Sequence, residues 1–155
     1  MIKIICLGKI KEDYLNKLID DYKKRISRYH KLEIIELKDE NDLAVEKTNI
    51  EKYIGSQDYV IALDIDGTNL DSVALAKKID ETFLSRGTIT FIIGSSYGLH
   101  EDIKKRANFR LSFSKLTFPH GLFRGILLEQ IYRSFKILNN ETYHKWQDSQ
   151  IKALP

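Results

Sequence analysis

The run Leu111–His120, L-S-F-S-K-L-T-F-P-H, gathers hydroxyls in a stretch with one charge, just before a long apolar segment. Such a loop adds little to a core, but it is suited to presenting backbone N–H and C=O groups to a buried polar ligand. Upstream, I-I-G-S-S-Y-G-L-H at Ile92–His100 ends an apolar run in glycines and hydroxyls, and Tyr143-His144-Lys145 follows near the other end. Side chains able to move a proton or hold an anion beside that ligand are His120, Arg124, Arg133, Tyr143 and His144. His120 follows Pro119 and is equally placed to begin a helix.

A second possible chemistry lies in Leu63–Ser72, L-D-I-D-G-T-N-L-D-S. A strand followed by D-x-D-G-T resembles the haloacid-dehalogenase-type phosphatases, whose first Asp is a nucleophile and second an acid/base, with Mg²⁺ holding the phosphate. Asp64 and Asp66, two apart on an extended strand, would share a side. The rest of such an enzyme is not to be found. Thr88–Ile93 runs into Gly-Ser-Ser, Phe109–Phe113 into Ser-Lys-Leu-Thr, and the acidic pair Glu101-Asp102 opens a helix. Gly94 and Gly98 form a G-x-x-x-G without the basic residue of a P-loop, which argues against a nucleoside triphosphate.

These residues need a scaffold, and the apolar periodicity supplies one. Strands are predicted at Ile2–Leu7, Leu32–Leu37, Tyr59–Ile65, Thr88–Ile93 and Phe109–Phe113, with Asp66-Gly67 as the turn that ends the third. Helices are predicted over Lys9–Tyr29, Leu43–Ile54, Leu70–Ser85 (opened by Asp71-Ser72), His100–Ala107 and His120–Leu138. Leu15, Leu18, Ile19, Tyr22 and Ile26 mark one face of the first helix. The last carries Leu122, Ile126, Leu127, Ile131, Phe135 and Leu138, with a surplus in Phe123, Leu128 and Tyr132 that suits an interface or a helix buried on both faces. Strands alternating with helices imply an α/β layered fold with a mostly parallel sheet. Its ligands belong at the C-terminal strand ends.

Length and composition fit one globular domain of 155 residues, 43% hydrophobic and 30% charged. The apolar runs are too short for a membrane span, and no basic-then-apolar leader precedes the first strand. A lone Cys6 among Ile4, Ile5 and Leu7 reads as core, consistent with a reducing cytoplasm. The net charge is +3, unevenly spread: Met1–Tyr97 holds 15 Lys/Arg against 17 Asp/Glu, Gly98–Lys145 holds 9 against 4. The basic C-terminal third suits a polyanionic partner.

Taken together, Ile92–His100, Leu111–His120 and Tyr143–Lys145 resemble the SPOUT-class ribosomal RNA methyltransferases, and most closely the small single-domain RlmH family. The resemblance runs from Met1 to about Lys145. It implies a single-domain SPOUT (α/β-knot) fold over residues 1–145, a mostly parallel sheet and a C-terminal trefoil knot, an exception to the rule that chains avoid threading. The tail Trp146–Pro155 has no counterpart in that pattern and is expected to be partly disordered. The implied activity is S-adenosylmethionine-dependent methylation of ring nitrogen 3 of a pseudouridine in 23S rRNA. The implied partners are large-subunit rRNA in the assembled ribosome and a second copy of the chain, with no membrane, in the cytoplasm.

The resemblance assigns residues as well. Leu63 is expected to pack on the cofactor, Gly94 to let the chain pass close to it, and Phe113, Ser114, Lys115, Leu116, Thr117 and Phe118 to wrap its adenine and methionine parts. Leu111, Phe113, Leu116 and Phe118 are expected to anchor that loop in the core. No metal site is implied. Tyr143 and His144 are favoured beside the reacting base, with Arg133 as a third candidate, whereas helix positions such as Arg124 and Arg133 also suit RNA phosphate or dimer contacts. Asp64 and Gly67 match an acidic residue and a glycine of the family's strand–turn, so they need no phosphatase to explain them. Ser95 departs from the pattern, which has a second glycine there. A serine needs a compatible backbone angle, and weakened cofactor affinity is the expected consequence. The departure is also the one hint of a non-catalytic ribosome-binding factor that kept the fold and lost the cofactor.

Overall fold

The structure, a computed structural model, describes residues 1–145; the tail call Trp146–Pro155 lies outside the described residues. Apolar residues fill both faces of the strands, as a sheet covered on both sides requires. These strands are β1 (Ile2–Leu7), β2 (Leu32–Leu37), β3 (Tyr59–Asn69), β4 (Ile89–Ile93) and β5 (Phe109–Ser112). They pair in the order β2-β1-β4-β3-β5, every neighbour parallel. The helices are α1 (Asp13–Ser27), α2 (Leu43–Glu51), α3 (Ser72–Phe83), α4 (Glu101–Arg106) and α5 (His120–Leu138). Ile2, Ile4, Ile61, Phe91 and Leu111 face α1, α3 and α5, whereas Ile5, Leu7, Val60 and Ile92 face Ile50 of α2 and Ile103 of α4. The result is a three-layer α/β fold.

All five strands stand where the pattern puts them, with one informative difference. The expected turn at Asp66-Gly67 does not end β3. Leu63 and Thr68 both pair with Leu111, so residues 64–67 bulge out of register and the strand resumes to Asn69. A side chain at Gly67 would place its Cβ 2.7 Å from the Arg110 carbonyl oxygen and 2.9 Å from that of Asp64, which makes the bulge glycine obligatory.

The helix ends follow local chemistry. Asp71 caps α3 by accepting from Ala74 N–H at 2.7 Å, and His100 caps α4 through Nδ1, accepting from Asp102 N–H at 3.0 Å. α1 starts at Asp13, not Lys9, because Ile10 turns into the core ahead of it. α1 and α5 lie close and parallel: Cβ atoms added at Gly121 and Gly125 would sit 2.8 and 2.7 Å from Leu15 and Leu18. The apolar surplus of α5 is consumed inside the chain. Leu128 and Tyr132 are buried and Phe123 half-buried, while Leu122 is the one exposed apolar position among these. No helix of the described residues is long and apolar enough to cross a membrane.

Candidate active site

A cleft of about 160 Å³ opens at the C-terminal ends of β3, β4 and β5. Leu63, Asp64 and Ile65 wall it from β3, Ile93, Gly94, Ser95 and Gly98 from the loop after β4, and Leu111, Ser112, Phe113, Ser114, Leu116, Thr117 and Phe118 from β5 and the run beyond it. His120 and Phe123 close it from α5. Seven of the eight residues expected to hold a cofactor therefore line one cavity; Lys115 is exposed and does not. Apolar walls with a few convergent hydroxyls fit a flat heteroaromatic ligand with a polar tail.

The loop after β5 keeps its shape by two local bonds and one from the end of β3. Ser112 Oγ donates to the Ser114 carbonyl at 3.2 Å, Leu116 N–H donates to Ser114 Oγ at 2.9 Å, and Asn69 Nδ2 donates to the Ser112 carbonyl at 3.2 Å. Phe123 receives both ends of the loop, with Phe113 edge-on at 5.2 Å and Phe118 stacked at 5.9 Å. Leu116 was expected to anchor the loop, but it is 73% exposed at the cleft mouth. Leu111 and the two phenylalanines do the anchoring.

Gly94 is required by its own backbone surroundings. A Cβ there would lie 2.4 Å from the Gly98 carbonyl oxygen and 2.5 Å from its carbon, so the tight turn 95–98 presses directly on it. Gly98 takes φ +82°, and its N–H donates to the Ser95 carbonyl at 2.8 Å. Ser95, where a glycine was expected, has no left-handed backbone angle to resist it. It is accommodated without strain, its hydroxyl turned to Glu46 at 3.0 Å.

Asp64 is buried and committed. It accepts from Asp66 N–H at 3.1 Å and sits 3.5 Å from Arg110 and 3.9 Å from Lys104. Asp66 is exposed on the bulge, and among the described residues no three His, Cys, Asp or Glu side chains gather as a metal would need. The two aspartates thus belong to no such cluster. Beside them Lys104 and Arg110 line a neighbouring groove with Asp66 as a basic rim, and Lys105, Arg106 and Arg110 are exposed.

The remaining candidates do not gather at the cleft. Arg133 stands thirteen residues along α5 from His120, about 20 Å at helical rise. There Glu129, unnoticed in the sequence although its i, i+4 spacing to Arg133 offered a signal, organises a cluster. Its Oε1 accepts from both Arg133 and, at 3.0 Å, the Tyr143 hydroxyl, while the Arg133 guanidinium lies 4.7 Å from the Tyr143 ring centre. Arg133 Nη1 meets His144 Nδ1 at 3.0 Å. An arginine can only donate, so in this contact the ring nitrogen accepts. Burial, then the Tyr22 hydroxyl and Glu129, push the Tyr143 phenol well above its ordinary range, which keeps it a donor.

Arg124 has no free guanidinium for phosphate. It is 3% exposed and ties α5 to the sheet through Glu36 and, at 3.1 Å, the Gly8 carbonyl. His120 lies between the cleft and a neighbouring groove of about 410 Å³ bordered by Lys9, Tyr14 and Leu122.

Comparison with known proteins identifies the family. The family described as "Predicted SPOUT methyltransferase" matches residues 1–144. A Clostridium botulinum (strain 657) protein named ribosomal RNA large subunit methyltransferase H is 48% identical, over 93% of this chain and 99% of its own. A Caldicellulosiruptor saccharolyticus protein of the same name is 47% identical, over 94% of this chain and all of its own. Among solved structures, a methylase-family protein from Haemophilus influenzae Rd KW20 superposes with a TM-score of 0.53 at 14% identity, covering 92% of this chain and 70% of that one. That likeness bears on the fold alone.

Proposed function

The chain belongs to the SPOUT methyltransferases, within the ribosomal RNA large subunit methyltransferase H (RlmH) family, and on that premise we propose that it methylates ring nitrogen 3 of a pseudouridine in 23S rRNA, with S-adenosylmethionine as donor. The observation that carries the reading is the convergence of Leu63, Gly94 and the Phe113–Phe118 run, Lys115 apart, on one apolar cleft at the strand ends. When bound, S-adenosylmethionine supplies an electrophilic methyl group. Leu63, Gly94, Phe113 and Phe118 would hold the donor against the apolar walls of the cleft, where bringing it together with the incoming nitrogen supplies most of what methyl transfer needs. The knotted C-terminal path belongs to the same reading.

Removing the proton of the ring nitrogen leaves negative charge on the neighbouring carbonyls. The Glu129–Arg133–Tyr143–His144 cluster is built to meet it. Arg133 is a fixed cation, Tyr143 stays protonated, and Arg133 holds the His144 ring through Nδ1. We assign these groups to stabilising the anion. Since about 15 Å of α5 separates Arg133 from Phe123, the nearer cleft residue on that helix, a homodimer in which each subunit's cluster completes the other's cleft is the arrangement that uses both. The exposed Lys105, Arg106 and Arg110 would meet rRNA phosphates of the assembled cytoplasmic ribosome.

The test pairs calorimetric titration with S-adenosylmethionine against methylation of ribosomes, read by mass spectrometry of 23S rRNA. Cofactor binding in the micromolar range and one added methyl on a pseudouridine are expected. Binding without methylation of any ribosomal particle would refute the substrate; no binding at all would refute the reading.

A further inference from the structure

Behind the cleft stands a buried carboxylate that does not line it. Glu46, in the first turn of α2, is 1% exposed. Its Oε2 accepts from Glu40 N–H at 3.1 Å and its Oε1 from the Ser95 hydroxyl at 3.0 Å. Ser95 is itself buried and lines the cleft. Around it the chain turns tightly: Gly98 N–H returns to the Ser95 carbonyl at 2.8 Å, and Tyr97 N–H approaches Ser95 Oγ at 3.4 Å. Gly94 packs against the Gly98 carbonyl at the base of the same turn.

A buried carboxylate that loses one partner is penalised more than an ordinary hydrogen bond gains, so the Glu46–Ser95 contact is strongly held once made. It is also the one side-chain bond that ties this turn to the helical layer on the far side of the sheet among the described residues. Where the family pattern has a glycine, this chain has a tether.

We infer that Glu46 is a positioning residue for the methyl-donor site: through Ser95 it holds the Gly94–Gly98 turn in the shape that S-adenosylmethionine meets. The inference rests on the cleft being the donor site, and the experiment separates the two. Glu46→Ala, Ser95→Ala, the double variant and Glu46→Gln are titrated calorimetrically with S-adenosylmethionine, and Glu46 variants are assayed on ribosomes across donor concentrations. Ser95→Ala leaves the helix untouched and guards against a Glu46→Ala that folds poorly.

Each single alanine variant is expected to bind the donor about tenfold more weakly, and the double variant no more weakly than either alone. Glu46→Gln, which still offers an acceptor oxygen to the serine, recovers to within about threefold. The Glu46 loss falls on KM for the donor and spares kcat, which a general loss of fold would not do. Wild-type binding with unchanged affinity in Ser95→Ala, or additive losses in the double variant, overturns the inference alone. A wild-type chain that binds no S-adenosylmethionine overturns the donor-site reading and the inference with it.

Discussion

Replacing Gly94 by alanine should damage the protein before any cofactor is added. The new Cβ would meet the Gly98 carbonyl oxygen at 2.4 Å and its carbon at 2.5 Å, where ordinary contact begins near 3.4 Å. Relief requires about 1 Å of backbone movement, and the obstacle is a peptide group, not the far end of a flexible side chain. Over-packing of this kind costs about 1–3 kcal/mol. For a chain of 155 residues each kcal/mol lowers the melting temperature by about 2–4 °C, so a mid-range cost of ~2 kcal/mol predicts a fall of about 4–8 °C. The displaced turn also carries Ser95 and the cleft rim, so donor affinity should drop on the order of tenfold. Differential scanning calorimetry of the unliganded protein, followed by titration with S-adenosylmethionine, measures both. If Gly94→Ala melts like the wild type and fails only in binding, the glycine serves ligand clearance and the clash with Gly98 has been misjudged.

The remaining predictions concern the Arg133 cluster, the basic residues of α4 and the core. Mixing a cleft-defective chain (Phe118→Asp) with a cluster-defective chain (His144→Ala) should restore about a quarter of wild-type activity if subunits complete each other's sites; additive background activity alone would refute shared sites. Lys105→Glu with Arg106→Glu should weaken ribosome binding and flatten its salt dependence, with S-adenosylmethionine binding unchanged; a sedimentation assay at several salt concentrations reads it. Although burial pushes Asp58 upward, Gly55 N–H, Lys3 and Thr90 hold its carboxyl below the ordinary range. Its stabilisation is therefore present above about pH 4 and lost as pH falls through the lower folded value, and Asp58→Asn should remove that part of the acid sensitivity in pH-dependent melting. Burial raises the Cys6 thiol to about 11, so thiol reagents should label it only on unfolding, as mass spectrometry with and without denaturant will show.

Much of this was legible because one-dimensional patterns carry it. Runs such as Ile2–Leu7 and Ile89–Ile93 are apolar on both faces, and only a sheet covered twice makes use of that. The cleft was legible because Gly94 and Leu111–His120 lie next to strand ends, where sequence neighbours remain neighbours in space. What stayed hidden depends on long-range pairing. Asp66-Gly67 has the composition of a turn, yet β5 supplies a second register to Thr68 and Asn69, and the chain resumes as strand. Arg124 looks like a surface cation on a helix until Glu36 and Gly8, from elements far away in sequence, are found around it. Glu46 gave no motif, because its importance lies in what it holds, and Glu129 gave only its i, i+4 spacing to Arg133.

The unbroken rod of α5 has an evolutionary corollary. α5 carries Phe123 at the cleft and Arg133 at the cluster, and it beds against α1 through Gly121 and Gly125. One inserted or deleted residue between them would turn the cluster by about 100° and strip either the glycines or Arg133 from its seat. Length changes in related chains should therefore collect in the segment between β2 and α2 and in the connection between α3 and β4. The interval from Phe123 to Arg133 should stay fixed in length even where its side chains diverge.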